Sequence, residues 1–346
     1  MITILTLDRK KSLLRIFYYI LKFIVLFFKR KYLFDLVSFK RLVDFPGHPD
    51  VLESVIIGLN HLKINYNINP KNNTSYNKIV LVISGIEALE YAIDLKKLGI
   101  IKYIFAGPNI SILPSDQKII FSDKLVNYFI TPSKWVSSSY INDMKTLNNK
   151  IFEWFAGVDI NYWNDNLDLK KKFVLIYIKK IKKFDIKILH YINYLKEKKI
   201  QYKIINYGSY NRKEYLKYLN MSKYSIFFSQ SESQGLAIAE SWSSNVPTLI
   251  MWNDHFYYKN KKIYSSTSPY LSSETGQFFE SYDDFKMKID YFELNYKKFI
   301  ARKWVINNMS NILTTKNLIA SIIKKIIILD KNFNIKPLND SLNERK

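Results

Sequence analysis

Two glutamates, Glu232 and Glu240, stand eight positions apart in the stretch Ser229–Met251, with Gly235 between them. Carboxylates accept hydrogen bonds from hydroxyls, so a pair that faces one ligand can hold a polyol such as a sugar. A glycine at the start of a helix leaves unpaired backbone N–H groups and a positive dipole end pointing outward, which suits phosphate. Read purely locally, the same residues are acids near a helix N-terminus, where acids are mildly favourable. Ser231 with Gln234 also has the spacing of a capping box.

These residues need elements to hold them. Tyr224-Ser225-Ile226-Phe227-Phe228 is a short β-branched and aromatic run that predicts a buried strand, and Pro247-Thr248-Leu249-Ile250-Met251 predicts another. Leu236–Trp242, rich in Ala, Leu and Glu, predicts a short helix between them. The unit therefore reads strand, polar loop, helix, strand. Its loop falls at the carboxyl end of a strand, the edge at which open α/β sheets bind ligands.

The E-x7-E spacing with an internal glycine, followed by Val246-Pro247-Thr248-Leu249-Ile250, resembles the donor-site motif of GT-B glycosyltransferases. That resemblance implies a sugar moved from a nucleotide diphosphate donor to a hydroxyl acceptor, with retention and without a metal. It places Glu232 against the sugar, Gly235 and Leu236 at the diphosphate, and Glu240 on the ribose hydroxyls. The family often has an aromatic before the glycine, where this sequence has Gln234. Thr131-Pro132-Ser133-Lys134-Trp135-Val136, and the stretch 155–163 with its Gly157-Val158-Asp159 turn, resemble the segments that end the N-domain in the same family.

By the same resemblance Lys179 and Lys183 bind the donor diphosphate, a role that suits lysine as a mobile point charge. Taken alone they are a solvated lysine cluster at a strand end. Gly208, Ser209 and Tyr210 would hold the nucleobase, though Tyr210 reads equally as a packing aromatic. Gly47 and His48 match a glycine loop on the acceptor side, and His48 alone reads as an exposed loop residue. The resemblance spans residues 46–330. It implies an α/β chain of two doubly wound, Rossmann-like domains facing a cleft: 46–168 on the acceptor side and 169–300 for the donor. Residues 301–346 would be a helix crossing back onto the N-domain, with Trp304 as its anchor, and a polar tail.

Composition narrows the classes. At 346 residues with 48% hydrophobic and 16% aromatic content, the chain can fill two cores. It has no cysteine, hence no disulfide framework or thiol nucleophile, which fits a reducing cytoplasm. Its four histidines are scattered and no Asp-x-Asp follows a strand, so no metal is expected. The net charge of +23 favours anionic partners. Nucleic acid is not among them, because the lysines are dispersed and no nucleic-acid motif is present.

Residues 1–45 lie outside the resemblance. Leu13–Phe28 is apolar except for Arg15 and Lys22, which with Lys29 recur every seven positions and form one basic stripe on a helix. The run is shorter than the roughly 20 residues of a bilayer span, so an interfacial helix at the inner face of the membrane is expected. A buried helix and a true span are the alternatives. From Lys78 onward strands and helices alternate as in βα units, resuming at Phe173–Ile178 after a polar linker at 164–172. Residues 253–276 read as an irregular excursion. These readings together point to synthesis of a cell-surface polysaccharide or lipid-linked glycan. A catalytically silent GT-B subunit that scaffolds a transferase, and a basic membrane-surface protein, are the rivals.

Overall fold

The computed structural model describes residues 1–6, 48–70, 72–165, 171–179, 186–335, 338, 340 and 342. The chain forms two compact units, Met1–Gly157 with Asn311–Lys346, and Val158–Ser310. The division thus falls at Gly157/Val158, ahead of the 168/169 boundary that the sequence implies.

Unit 1 begins with β1 (Ile2–Leu5), α1 (His48–His61), β2 (Tyr66–Ile68), β3 (Ile79–Ser84), α2 (Ile86–Lys97) and β4 (Tyr103–Asn109). It continues with α3 (Lys118–Ser122), β5 (Tyr128–Thr131), α4 (Lys134–Asp143) and β6 (Ile151–Glu153). The sheet runs β2-β1-β3-β4-β5-β6, with every neighbouring pair parallel. A parallel sheet is covered on both faces, which is why β3, Ile-Val-Leu-Val-Ile-Ser, is buried at every position. The sequence reading started this domain at residue 46. Instead Ile2–Leu5 sits inside its sheet, with Thr3 paired to Asn67 on one side and Val80 on the other. The expected helix over 13–28 lies outside the described residues.

Unit 2 contains β7 (Phe173–Lys179), α5 (Ile186–Glu197), β8 (Tyr202–Asn206), α6 (Arg212–Asn220), β9 (Ser222–Ser229), α7 (Leu236–Ser243) and β10 (Thr248–Met251). After these come β11 (His255–Tyr258), β12 (Lys261–Tyr264), β13 (Gly276–Phe279), α8 (Tyr282–Asn295) and α9 (Ala301–Asn308). Its main sheet, β13-β10-β9-β7-β8, is again parallel throughout. The expected irregular excursion over 253–276 is in part a hairpin, since β11 and β12 pair antiparallel.

The chain then returns to unit 1 as α10 (Asn311–Leu329), whose buried face carries Thr315, Leu318, Ile322 and Ile326. Two glycines let it approach. A Cβ on Gly58 of α1 would lie 2.0 Å from Thr315 Oγ1, and one on Gly157 would lie 2.5 Å from the Asn311 Cα. Trp304 does not anchor this return. It sits on α9 and packs edge-on against Trp242, 5.5 Å between ring centres, within unit 2.

Candidate active site in unit 2

The strand order places one crevice in the second unit. The chain leaves β7 towards β8 and leaves β9 the opposite way, towards β10. The two connections diverge, so the carboxyl ends of β7 and β9 flank a topological switch point, where open α/β sheets hold ligands. The ladder sets Lys179, the last residue of β7, beside Ser229, the last of β9. Three residues on, the loop delivers Glu232.

Lys179 Nζ donates to Glu232 Oε2 at 2.7 Å, with the two side chains only 19% and 8% exposed. Burial works to lower the lysine pKa. The charge of Glu232, its hydrogen bond and the adjacent Tyr207 outweigh that, and the net shift is upward. The ion pair with Glu232 thus favours the charged form of Lys179. The Tyr207 ring centre lies 4.8 Å from Nζ. The Glu232 backbone N–H donates to the Ser266 carbonyl at 2.8 Å, which ties the loop down.

Gly235 is the N-cap residue of α7, with φ 85° and ψ 51°. This left-handed conformation costs other L-residues about 1–2 kcal/mol. The turn lets the loop pass sharply into the helix, and because the N-cap is Gly235 and the helix starts at Leu236, Ser231 and Gln234 both precede the positions that a capping box for this helix would use. The Leu236 amide belongs to the first turn, whose N–H groups point out of the helix. Glu240, half-buried, lies on the same helix.

A group of tyrosines backs these charges. The Tyr215 hydroxyl donates to the Ala237 carbonyl at 2.8 Å. Its pKa is pushed well up by burial first, then by Tyr210, Glu240 and Glu232, so all four groups gather in one neighbourhood. Tyr177 and Tyr210 share a 2.8 Å hydroxyl contact, and burial drives Tyr177 well above the usual range. Tyr210 thus packs and hydrogen-bonds at once. Gly208 and Ser209 form an exposed turn after β8, closed by Ser209 Oγ donating to the Asn206 carbonyl at 2.6 Å. Gly208 has φ 81° and open space where a Cβ would be.

The structure therefore brings Lys179, Glu232, Gly235, Leu236, Glu240 and Tyr210 into unit 2, with Gly208 and Ser209 at a neighbouring strand end. Lys183 and Gly47 lie outside the described residues. His48 opens α1 in unit 1. Sequence reasoning missed Tyr177, Tyr207, Tyr215 and Ser266. One signal was present: the period of two along β7 puts Tyr177 on the same face as Lys179. Among the described residues, no group of three or more His, Asp or Glu side chains is placed to hold a metal ion.

No family model matches the chain, and no curated protein matches it in sequence. Solved structures do. The lipopolysaccharide outer core galactosyltransferase WaaB superposes with a TM-score of 0.54 at 13% identity, covering 94% of this chain and 99% of that one. HepE from Anabaena, crystallised with UDP and glucose, gives 0.53 at 11% identity, covering 94% and 100%. The chain spans only 58% of the length of TarM, another structure it matches, with a TM-score of 0.45 at 15% identity over 81% of this chain. The parallel sheets and the likenesses to WaaB and HepE identify the fold as α/β with two Rossmann-like domains of the GT-B type.

Proposed function

We propose that the protein is a glycosyltransferase that moves a sugar from a nucleotide diphosphate donor to a hydroxyl acceptor, with retention and without a metal. The observation that carries this reading is the Lys179–Glu232 pair at the switch point, beside a helix opened by Gly235. A cation and first-turn amides can stabilise the negative charge that grows on a departing diphosphate, an electrostatic form of catalysis. Glu232 and Glu240 offer acceptors to sugar and ribose hydroxyls. The buried Ser229 Oγ at the end of β9 has no hydrogen-bond partner within the protein. A ligand hydroxyl or phosphate there would relieve a cost of about 1–3 kcal/mol. HepE's UDP and glucose, and the galactosyl transfer of WaaB, agree with this class of substrate.

The test is a panel of UDP- and GDP-sugars incubated with the full chain, with release of nucleoside diphosphate measured with and without excess EDTA. Turnover of one donor that survives EDTA is the expected result. Failure of every donor, together with no binding of UDP or GDP by calorimetry, would leave a scaffold subunit as the better reading. Glu240→Ala gives a sharper check. Loss of hydrogen bonds to a charged group should weaken nucleotide binding by about 1.5–3 kcal/mol. An unchanged affinity in the folded variant removes the ribose role.

We also propose that the basic stripe of Arg15, Lys22 and Lys29 holds the enzyme at an anionic membrane surface on the cytoplasmic side, where a glycan of the cell surface or on a lipid carrier would be built. Among the described residues no helix is long and apolar enough to cross a membrane. Cutting off residues 1–31 is a poor test, because it also removes β1 from the sheet. Replacing the three basic residues by glutamine avoids this. At about 1 kcal/mol per charge near an anionic surface, vesicle partitioning should fall roughly 100-fold at low salt. Equal sedimentation of both proteins with phosphatidylglycerol vesicles would reject the surface role.

A further inference from the structure

The β11–β12 hairpin is used by nothing described so far. Its turn residues Lys259 and Asn260 both have positive φ, 47° and 64°, as a tight two-residue hairpin turn requires. Directly opposed residues share a face, and the pairs are His255 with Tyr264 and Tyr257 with Lys262 on one side, Phe256 with Ile263 and Tyr258 with Lys261 on the other. The second face leans inward, and its Ile263 is buried. The first face points to solvent, with Tyr257 65% and Tyr264 67% exposed. Lys262 Nζ stands 5.0 Å from the Tyr264 ring centre.

Charge on this hairpin has one sign. Residues 255–264 contain three lysines and no carboxylate. The preceding Asp254 meets His255 Nδ1 at 2.6 Å, and its carboxyl is held below the usual range first by that hydrogen bond and in lesser part by Lys262. The hairpin is also rooted in the candidate site. Asn253 Nδ2 donates to the Gln230 carbonyl at 2.8 Å, and the Ser265 N–H donates to the Asp254 carbonyl at 2.7 Å. The next residue, Ser266, accepts from the Glu232 amide. A chain lying along the outward face would therefore end near Glu232.

We propose that this face binds an acidic glycan chain, with carboxylates or phosphates along the sugar backbone, as the acceptor or the growing product. The ligand class rests on the glycosyl-transfer reading. Two exposed tyrosine rings offer flat, amphipathic surfaces to sugar rings, and Lys262 between them supplies charge for the acid groups. A bilayer fits less well, because the tip is Lys259–Asn260 followed by Lys261, and inserting charges into hydrocarbon is costly. The exposed aromatic area is on the side of the hairpin and not at its end.

The experiment uses the full chain, Tyr257→Ala with Tyr264→Ala as a double variant, and Lys262→Glu. Each is titrated with an oligogalacturonate, a phosphorylated oligomannose, a neutral maltooligosaccharide and phosphatidylglycerol vesicles. The unaltered protein should bind one or both acidic oligosaccharides in a salt-sensitive way and ignore the neutral one. Both variants should lose that binding at least tenfold while keeping the same melting temperature and nucleotide affinity. Acidic-oligosaccharide binding that the variants leave intact, or that is absent from the unaltered protein, overturns the proposal. So does a loss confined to vesicles, which would make the face a membrane contact. The nucleotide titration is read separately: a chain that takes acidic oligosaccharide but neither UDP nor GDP supports the hairpin and sinks the donor-site reading.

Discussion

Lys179→Met is expected to reduce turnover of the nucleotide-sugar by roughly 10²–10³-fold, the range for removing one preorganised charge-stabilising group. The same change leaves the Glu232 carboxylate buried without its cation, which should cost about 3 kcal/mol of stability. Two causes of lost activity are thus entangled, and a second variant separates them. Lys179→Met with Glu232→Leu replaces the whole pair by apolar groups of similar size, which for a buried pair is often neutral or stabilising. If the pair acts on the donor, the double variant regains its denaturant midpoint but stays inactive. If it regains activity along with stability, the pair is only a structural brace and the catalytic role of Lys179 is lost.

Gly107→Ala is expected to be the most damaging single methyl group in unit 1. Gly107 lies in β4 with φ 137°, and a Cβ there would come 2.0 Å from the Ile130 carbonyl oxygen and 2.9 Å from its carbon. The obstacle is the backbone of a neighbouring strand, which cannot rotate away. A loss on the order of 3 kcal/mol or more follows from backbone strain added to overpacking. Gly99→Ala is the control. Its φ of 71° is also left-handed, yet nothing lies within 4 Å of the added atom. It should cost only about 1–2 kcal/mol. Urea midpoints that fall equally for both would mean that the close approach of β4 to β5 carries no weight.

The sequence disclosed what is local. The alternation around Ile79–Ser84 and Ile86–Lys97, and the strand–loop–helix–strand unit around Gly235, follow from composition over a few residues, and the structure has them there. Ile2–Leu5 was hidden for a physical reason. Ile2-Thr3-Ile4-Leu5 is too short for a period to be read, and its strand partners, residues 66–68 on one side and 80–82 on the other, lie far along the chain. The hairpin at 255–264 was hidden because its turn is Lys-Asn, where the glycine that usually announces two positive φ values is missing. Glycine spacing in E-x7-E could suggest a site but not its wiring. That Glu232 meets Lys179 depends on the register of β7 against β9, fifty residues apart, and that Trp304 meets Trp242 depends on how α9 packs on α7.

The return of the chain to unit 1 has a consequence for synthesis on the ribosome. Unit 2 is one continuous stretch, 158–310, and every strand it needs has emerged once that stretch is made. Unit 1 is in two pieces, and α10 is translated after all of unit 2. Until it appears, the face of α1 around Ser54 and Gly58, which Thr315 covers in the finished protein, has no lid. At about 5–20 residues per second, the roughly 150 residues of unit 2 take about eight to thirty seconds to pass. Through that interval the earlier-made part of unit 1 waits with that side of α1 uncovered. The later half can close first, which reverses the usual N-to-C order and makes the nascent first half a natural client for a chaperone.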